Sequence, residues 1–288
     1  MTTLSFTTLD NQADPTFNQL LGINNDGLIA GYFGSGAAGH PNKGYTLSPP
    51  YGQGNYHNEN FPGSVQTQVT GLNDRDLTVG FWADANGDNF GFVEHDGHFI
   101  NVVDPAAPKP AGGAPSVQQL MGINDRDQAV GFYLDAAGNA HSFVYDVGKN
   151  RFDALSIAGF SSATATGINN DGDISGFVVN ASGAAEGFVR DGHGKVTLLS
   201  GPQGATSSEA LGLNDKGEVV GEYTNATGMH GFVYNEHDHS YLTVDDPNGV
   251  GTTTVNGIND RGQLVGFYVD SAGNTDGMLV NVTGQHHA

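Results

Sequence analysis

The stretch Gly-Ile-Asn-Asp-Arg-Gly-Gln-Leu-Val-Gly at residues 257–266 is the last of six similar segments in a chain of 288 residues. Each segment opens with glycine, isoleucine or leucine, and asparagine, and carries a second glycine nine positions after the first. The segments begin 45–51 residues apart, a period typical of propeller blades and of solenoid repeats. They start at Gly22, Gly71, Gly122, Gly167, Gly212 and Gly257. One unit used six times therefore accounts for residues 1–288 as a single domain.

Each repeat predicts one four-stranded blade. In the last copy, residues 252–258 and 263–269 are rich in β-branched and apolar residues and flank an Asn-Asp-Arg-Gly turn signal. A third strand follows at 276–280, but a fourth is missing, and its counterpart is residues 4–10 at the N-terminus. We therefore predict an all-β fold, a six-bladed β-propeller whose ring is closed by the N-terminal strand. The alternative, an open solenoid, would not need complementary end pieces.

The repeated glycines and asparagines have a structural explanation in this fold. The first glycine falls in the innermost strand, where neighbouring blades crowd together and a missing side chain permits close approach of the backbones. The asparagine two positions later is expected to bond the backbone of the following hairpin turn. Six equivalent residues in a ring indicate a scaffold rather than a single site.

Composition restricts the classes of partner. Only ten Lys and Arg stand against 31 Asp and Glu, for a formal charge of −21, which argues against nucleic acid because phosphate binding depends on basic side chains. No apolar run approaches the ~20 residues that span a bilayer, so membrane insertion is not expected. The absence of cysteine excludes disulfides and thiolate chemistry. A small polar ligand or a saccharide fits these limits, and no cofactor is required.

The repeat resembles the bacterial family of extracellular HAF repeats. The resemblance covers essentially the whole chain, and His141-Ser142-Phe143 and His230-Gly231-Phe232 match its His-x-Phe element most closely. It implies an extracytoplasmic, propeller-like protein and supplies no activity or catalytic residue. The low-charge composition also favours an extracellular or periplasmic location, although no signal peptide is recognisable at the start of this chain. The histidine position departs from the family pattern elsewhere, as Lys43, Phe90, Glu186 and Asp276.

Departures from the six-fold repeat are the best guide to function, because the scaffold makes equal demands on every blade. After the second glycine, five copies carry an aromatic residue, whereas the fifth carries Glu222. Three residues before the first glycine, the only acid is Glu209, again in the fifth copy. We predict a channel-mouth site with candidate catalytic residues Glu222, Glu209, His230, His141 and Glu186. The alternative is neutral drift at solvent-exposed positions.

Two functions of different classes remain open. A recognition module would use a column of aromatic side chains for stacking on a neutral polar ligand such as a carbohydrate. The candidate ligand-binding residues are Tyr133, Tyr223, Trp82 and Tyr268, which would alternatively pack between blades. A hydrolase or lyase acting on a sugar-like substrate would instead use the carboxylates and histidines for acid–base catalysis.

One loop carries a candidate calcium site. Asp84, Asn86 and Asp88 offer oxygen ligands at alternate positions around Gly87, the pattern that Ca²⁺ requires. No glutamate stands at the twelfth position, so the predicted affinity is weak. The alternative is an acidic Asn-Gly hairpin turn, which the similar loops at 135–139 and 270–274 favour.

Overall fold

The computed structural model describes residues 2–108 and 115–284, which form six antiparallel four-stranded sheets. Blade six combines β1 (Thr3–Thr8) with the last three strands. Blade one comprises β2 (Asn18–Ile23), β3 (Ile29–Phe33), β4 (Lys43–Leu47) and β5 (Tyr56–Asn58), with a 3₁₀ turn at Gln53–Asn55. Blade two comprises β6 (Gln66–Leu72), β7 (Thr78–Ala83), β8 (Asn89–His95) and β9 (His98–Val102). Blade three comprises β10 (Gln118–Ile123), β11 (Gln128–Leu134), β12 (Ala140–Asp146) and β13 (Arg151–Leu155).

The second half repeats this order. Blade four comprises β14 (Ala163–Ile168), β15 (Ile174–Val179), β16 (Ala185–Arg190) and β17 (Val196–Leu199). Blade five comprises β18 (Ser207–Leu213), β19 (Glu218–Asn225), β20 (Gly228–Asn235) and β21 (Ser240–Val244). Blade six is completed by β22 (Thr253–Ile258), β23 (Gln263–Val269) and β24 (Thr275–Thr283). The predicted six-bladed β-propeller is confirmed.

Two faces of the ring matter for function. We letter the strands of each blade A to D from the channel outward, so that blade six reads β22, β23, β24 and β1. Because antiparallel strands alternate in direction, the A–B and C–D turns lie on one face, called here the A–B face. The B–C turns and the D–A connections between blades lie on the opposite face, called the B–C face.

The N-terminal strand supplies the outermost strand of blade six. β1 pairs with β24 from Thr3↔Thr283 to Thr8↔Met278, and the Leu9 N–H donates to the Gly277 carbonyl at 2.9 Å. The two ends of the chain therefore share one sheet, and the last blade has the same four strands as the others.

The core lies between blades rather than within them. Each of six clusters of buried apolar side chains combines residues of two neighbouring blades. Val265 and Leu279 of blade six, for example, pack with Leu20 and Tyr45 of blade one. None of these six clusters lies within a single blade, so the apolar side chains are buried by the contact between neighbouring blades.

The first glycine of each repeat permits the closest approach of the inner strands. A Cβ on Gly122 would lie 3.0 Å from the Thr166 carbonyl oxygen and 3.1 Å from the Gly167 Cα of the next blade. The same contact recurs around the ring, ending with Gly257 against Gly22. The predicted role of these glycines is confirmed.

A β-bulge just before each of these glycines shapes the channel. The register of every A–B strand pair shifts at this point. The bulged residues are Leu21, Thr70, Met121, Thr166, Leu211 and Asn256, and all six line an internal space of about 130 Å³. The polar ones in blades two, four and six donate to the next blade, as Thr70 does to the Leu120 carbonyl at 2.8 Å. Because this space is small, we expect larger ligands to bind at the mouths of the channel.

A closed ring of asparagines joins the blades at the A–B face. The Asn73 side-chain oxygen accepts the Arg75 and Leu77 N–H groups at 3.0 and 3.1 Å, which confirms the predicted bond to the turn. Its Nδ2 donates to the Asn124 carbonyl of the next blade at 3.0 Å. The donors of the equivalent inter-blade bonds are Asn24, Asn124, Asn169, Asn214 and Asn259, the last bonding back to Asn24.

We expect Asn73→Asp to destabilise the protein by roughly 2–3 kcal/mol. Aspartate keeps the oxygen that accepts from the turn. Its second oxygen, however, replaces the Nδ2 group that donates to the Asn124 carbonyl in the wild type, so two acceptors face each other. Asn150→Asp is the matched control, because Asn150 is exposed and only accepts from Tyr145. Urea unfolding measures both free energies. Equal stability of the two variants would show that the inter-blade bond contributes nothing.

Candidate functional site

Glu209 and Glu222 form a pair of half-buried carboxylates near the B–C face of blade five. They are directly opposite each other on β18 and β19, and so lie on the same side of the sheet. The Thr254 hydroxyl of blade six donates to Glu222 Oε2 at 2.6 Å. The structure thus brings together the two acids that break the six-fold repeat.

Burial changes the protonation of both acids. Desolvation, followed by the charge of Glu222, raises the pKa of Glu209 to about 7. Desolvation also raises the pKa of Glu222, although the Thr254 hydroxyl opposes this by stabilising the carboxylate. With a pKa of about 7, Glu209 can therefore both give and take a proton at neutral pH.

The pair belongs to a polar tier around the channel mouth. Glu209 occupies the position that is Gln19, Gln68, Gln119, Thr164 and Thr254 in the other blades. The glutamines are held in place: Gln19 accepts from the Tyr32 hydroxyl at 2.9 Å, and Gln68 donates to Asn42 at 2.9 Å. The positions opposite carry Tyr32, Phe81, Phe132, Phe177 and Phe267 in place of Glu222. Amide, hydroxyl and carboxyl groups thus lie beside aromatic rings.

His230 does not join this pair. It lies opposite Tyr223, the neighbour of Glu222 along β19, and successive side chains of a strand point to opposite faces. Its Nδ1 lies 2.9 Å from Asp245 Oδ1, its Nε2 lies 2.8 Å from the Thr227 hydroxyl, and its ring stacks on Tyr223. The expectation that His230 reaches the same ligand as Glu222 is corrected by this opposite orientation.

His141 and Glu186 are also held separately, in their own blades. His141 Nε2 lies 2.9 Å from Asp135 Oδ2 and its ring stacks on Tyr133. The bond to His141 holds the pKa of Asp135 below its usual range. Glu186 accepts from the Ser200 hydroxyl at 2.7 Å. The expected group of five is thereby reduced to Glu209 and Glu222, because the other three lie on sheet faces turned away from the pair.

The four aromatic candidates pack in or against the apolar clusters between blades, and their polar atoms and rings contact residues nearby. Tyr223 and Tyr268 are only 6% and 3% exposed, and their hydroxyls contact Thr243 and Thr8 at 3.1 and 2.8 Å. The half-buried Trp82 stacks on Phe61 with centroids 4.4 Å apart and donates to Asn101. Tyr133 is half-buried beside His141. This arrangement favours the packing alternative over an exposed binding column.

The candidate calcium loop has the geometry of an ordinary hairpin turn. Asp84 Oδ1 accepts the Asn86 and Asp88 N–H groups at 2.8 and 3.0 Å, and Oδ2 accepts from the Asn86 side chain. Asp135 and Asp270 make the same two backbone bonds in their loops. Within residues 2–108 and 115–284, no group of three or more His, Asp or Glu side chains is arranged to hold a metal ion. The turn thus accounts for these side chains without an ion.

Two features of the site were not predicted from the sequence. The first is the hydrogen bond from Thr254 of blade six to Glu222 of blade five, two residues that are 32 positions apart in the chain. The second is a further ring at the opposite mouth, where each residue after the conserved asparagine accepts a backbone N–H from the preceding blade, as Asp74 does from Asn25 at 2.7 Å. The recurrent Asn or Asp at this position was the available signal for the ring.

Comparisons with known proteins agree on the fold alone. No protein-family model matches the sequence, and no curated protein matches it significantly. Among solved structures, a protein of Agrobacterium tumefaciens assigned to TolB gives a TM-score of 0.65 at 10% identity, over 99% of this chain and 100% of that one. TolB from Acinetobacter baumannii gives 0.58 at 10% identity, over 94% and 67%. A mutant Aleuria aurantia lectin in complex with Fucα1-6GlcNAc gives 0.54 at 10% identity, over 93% and 95%.

These structures support an all-β propeller and, at such low identity, no particular activity. The described part of the chain contains no helix long and apolar enough to cross a membrane. The geometry of Glu209 and Glu222 is therefore the main evidence on function.

We expect Glu209→Gln to alter the pH dependence of stability. Between the ordinary glutamate pKa of 4.5 and the folded value of about 7, the folded protein keeps a proton that the unfolded chain has lost. This group therefore lowers the free energy of unfolding as pH rises through that window. The variant should gain on the order of 1–2 kcal/mol relative to the wild type between pH 5 and 8. Thermal melts across this range test the difference, and parallel curves would contradict it.

We expect millimolar Ca²⁺ to leave the melting temperature nearly unchanged if the loop at 84–88 is only a turn. A weak site of about 10⁻⁴–10⁻³ M would instead give a saturable shift that Asp88→Asn reduces. Asp135→Asn is the matched control in the equivalent loop. A Ca²⁺-induced shift of the melting temperature that is lost in Asp88→Asn and kept in Asp135→Asn would support the predicted calcium site.

Proposed function

We propose that the protein is an extracytoplasmic binding module that takes a neutral polar ligand, such as a carbohydrate, at the B–C mouth of its channel. The observation that carries the proposal is the Glu209–Glu222 pair within a tier of glutamine and threonine side chains. The narrow channel behind the tier limits a ligand to the mouth. The extracytoplasmic location rests on the composition and on the resemblance to HAF repeats.

The chemistry of the tier suits a polyhydroxylated ligand. Hydroxyl groups both donate and accept, and Glu209, with a pKa of about 7, can donate or accept a hydrogen bond near neutral pH according to its protonation. The half-buried rings of Phe177 and Phe267, in the blades on either side of blade five, offer apolar surface for the C–H faces of a sugar. A lectin with the same fold binding a fucosyl disaccharide is consistent with this use of a propeller.

Acid–base catalysis on a sugar-like substrate is the second candidate. It is favoured by one observation, a carboxyl group with a pKa of about 7 directly across from a carboxylate held by Thr254. A group with that pKa is suited to give and take protons at neutral pH. Glu209 would act as the acid and Glu222 as the base or stabilising charge.

We expect Glu222→Gln and Glu209→Gln to weaken saccharide binding roughly 10- to 100-fold, the loss typical of hydrogen bonds to charged groups. Isothermal titration with a panel of monosaccharides and disaccharides, including α-methyl-L-fucoside, measures the affinities. Glu186→Gln is the matched control, because Glu186 lies in blade four, apart from the pair, and accepts a hydrogen bond from Ser200. Binding unaffected by both pair variants would place the site elsewhere. Product formation that is abolished in Glu222→Gln would favour the catalytic candidate.

A further inference from the structure

A separate groove opens between blades five and six on the A–B face, opposite to the carboxylate pair. It encloses about 480 Å³, far more than the channel. The side chains of Val233, Ile258 and Val282 line it and belong to the apolar cluster between these blades. The groove therefore offers an apolar surface at a size suited to a small molecule.

Basic side chains lie at the rim of this groove. Lys216 comes from the A–B turn of blade five, and Arg261 comes from the A–B turn of blade six. Lys216 forms no ion pair with any described residue, and Arg261 has only the exposed Asp26, at 3.6 Å. They are two of only ten Lys and Arg in a chain of formal charge −21.

The acids at the rim are already engaged. Glu218 accepts from the Asn214 side chain at 2.8 Å. Asp260 accepts the Asp215 N–H at 3.0 Å and the Asn25 side chain at 3.0 Å. The groove thus has two available cations and two acids whose oxygens accept bonds from the scaffold.

The equivalent crevice between blades two and three holds its basic side chain in an ion pair. Arg75 takes the place of Lys216 there, and its guanidinium bonds the Asp127 carboxylate and the Asp125 carbonyl across the crevice. Blade six carries Gly262 where blade three carries Asp127. Gly262 has no side chain to hold Lys216, so the basic group is left available.

We propose that this groove binds an amphipathic anion, a carboxylate carried on a short aliphatic or aromatic body. The apolar body would lie on Val233, Ile258 and Val282, and the carboxylate would face Lys216 and Arg261. This inference is independent of the saccharide site, because the two sites share no residue and lie on opposite faces.

Hexanoate is the test probe, compared with hexan-1-ol, and binding is followed by isothermal titration to the intact chain. Lys216→Met and Arg261→Met should each weaken hexanoate binding roughly two- to five-fold, as expected for partly exposed ion pairs. Arg126→Met is the matched control, because Arg126 is the counterpart of Arg261 in blade three and should leave the affinity unchanged.

Gly262→Asp gives a sharper test. Gly262 has φ +73° with open space around its Cβ position, and Asp127 adopts φ 57° at the equivalent place, so the variant should fold. The new carboxylate should hold Lys216, repel the anion and abolish hexanoate binding, and a cooperative thermal melt shows that the variant is folded. Saturable hexanoate binding that follows this pattern and exceeds hexan-1-ol binding supports the proposal. Absence of saturable binding to the wild type, or equal affinity in Gly262→Asp, overturns it.

Discussion

The close approach of six inner strands is the constraint on which the rest of the structure depends. A Cβ added to the first glycine of any repeat would lie only 3.0–3.3 Å from the Cα of the first glycine in the next blade. This close spacing lets each asparagine reach the carbonyl of the next blade. Neither contact exists within a single blade, and the apolar clusters also lie between blades. All six blades gain these contacts on both sides only in a closed ring, which the pairing of β1 with β24 completes.

The same spacing decides where function can lie. The six bulged residues line the small space inside the channel, and the two mouths on either side of it carry different side chains. One mouth has a polar tier containing two half-buried acids. The other is ringed by the asparagines and by the Asn and Asp residues that follow them. Four of the ten basic residues, Arg75, Arg126, Lys216 and Arg261, lie in the turns at this second mouth. The same turns carry more acids than bases, among them Asp26, Asp74, Asp76, Asp125 and Asp127.

The fold was predictable because its signals are local and repeated: turn residues, β-branched runs and a matching pair of chain ends. The pairing of Glu209 with Glu222 was suggested by their common departure from the repeat. The position of His230 was not, because alignment of repeats identifies equivalent columns but not which sheet face each column occupies. Glu222 and Tyr223 are adjacent in sequence, yet one lies beside Thr254 and the other under His230. Side-chain alternation along β19 separates them.

Repetition also makes single substitutions interpretable. Blades two and three match blades five and six at the turn positions, with Asp74 and Asp125 corresponding to Asp215 and Asp260. Against this shared background, Asp127 bonds Arg75 across one crevice, whereas Gly262 offers Lys216 no such partner across the other. The turn itself tolerates either residue, since both adopt positive φ. The backbone therefore did not dictate the difference, and the residue at one turn position decides whether the basic side chain of the preceding blade has a carboxylate partner across the crevice.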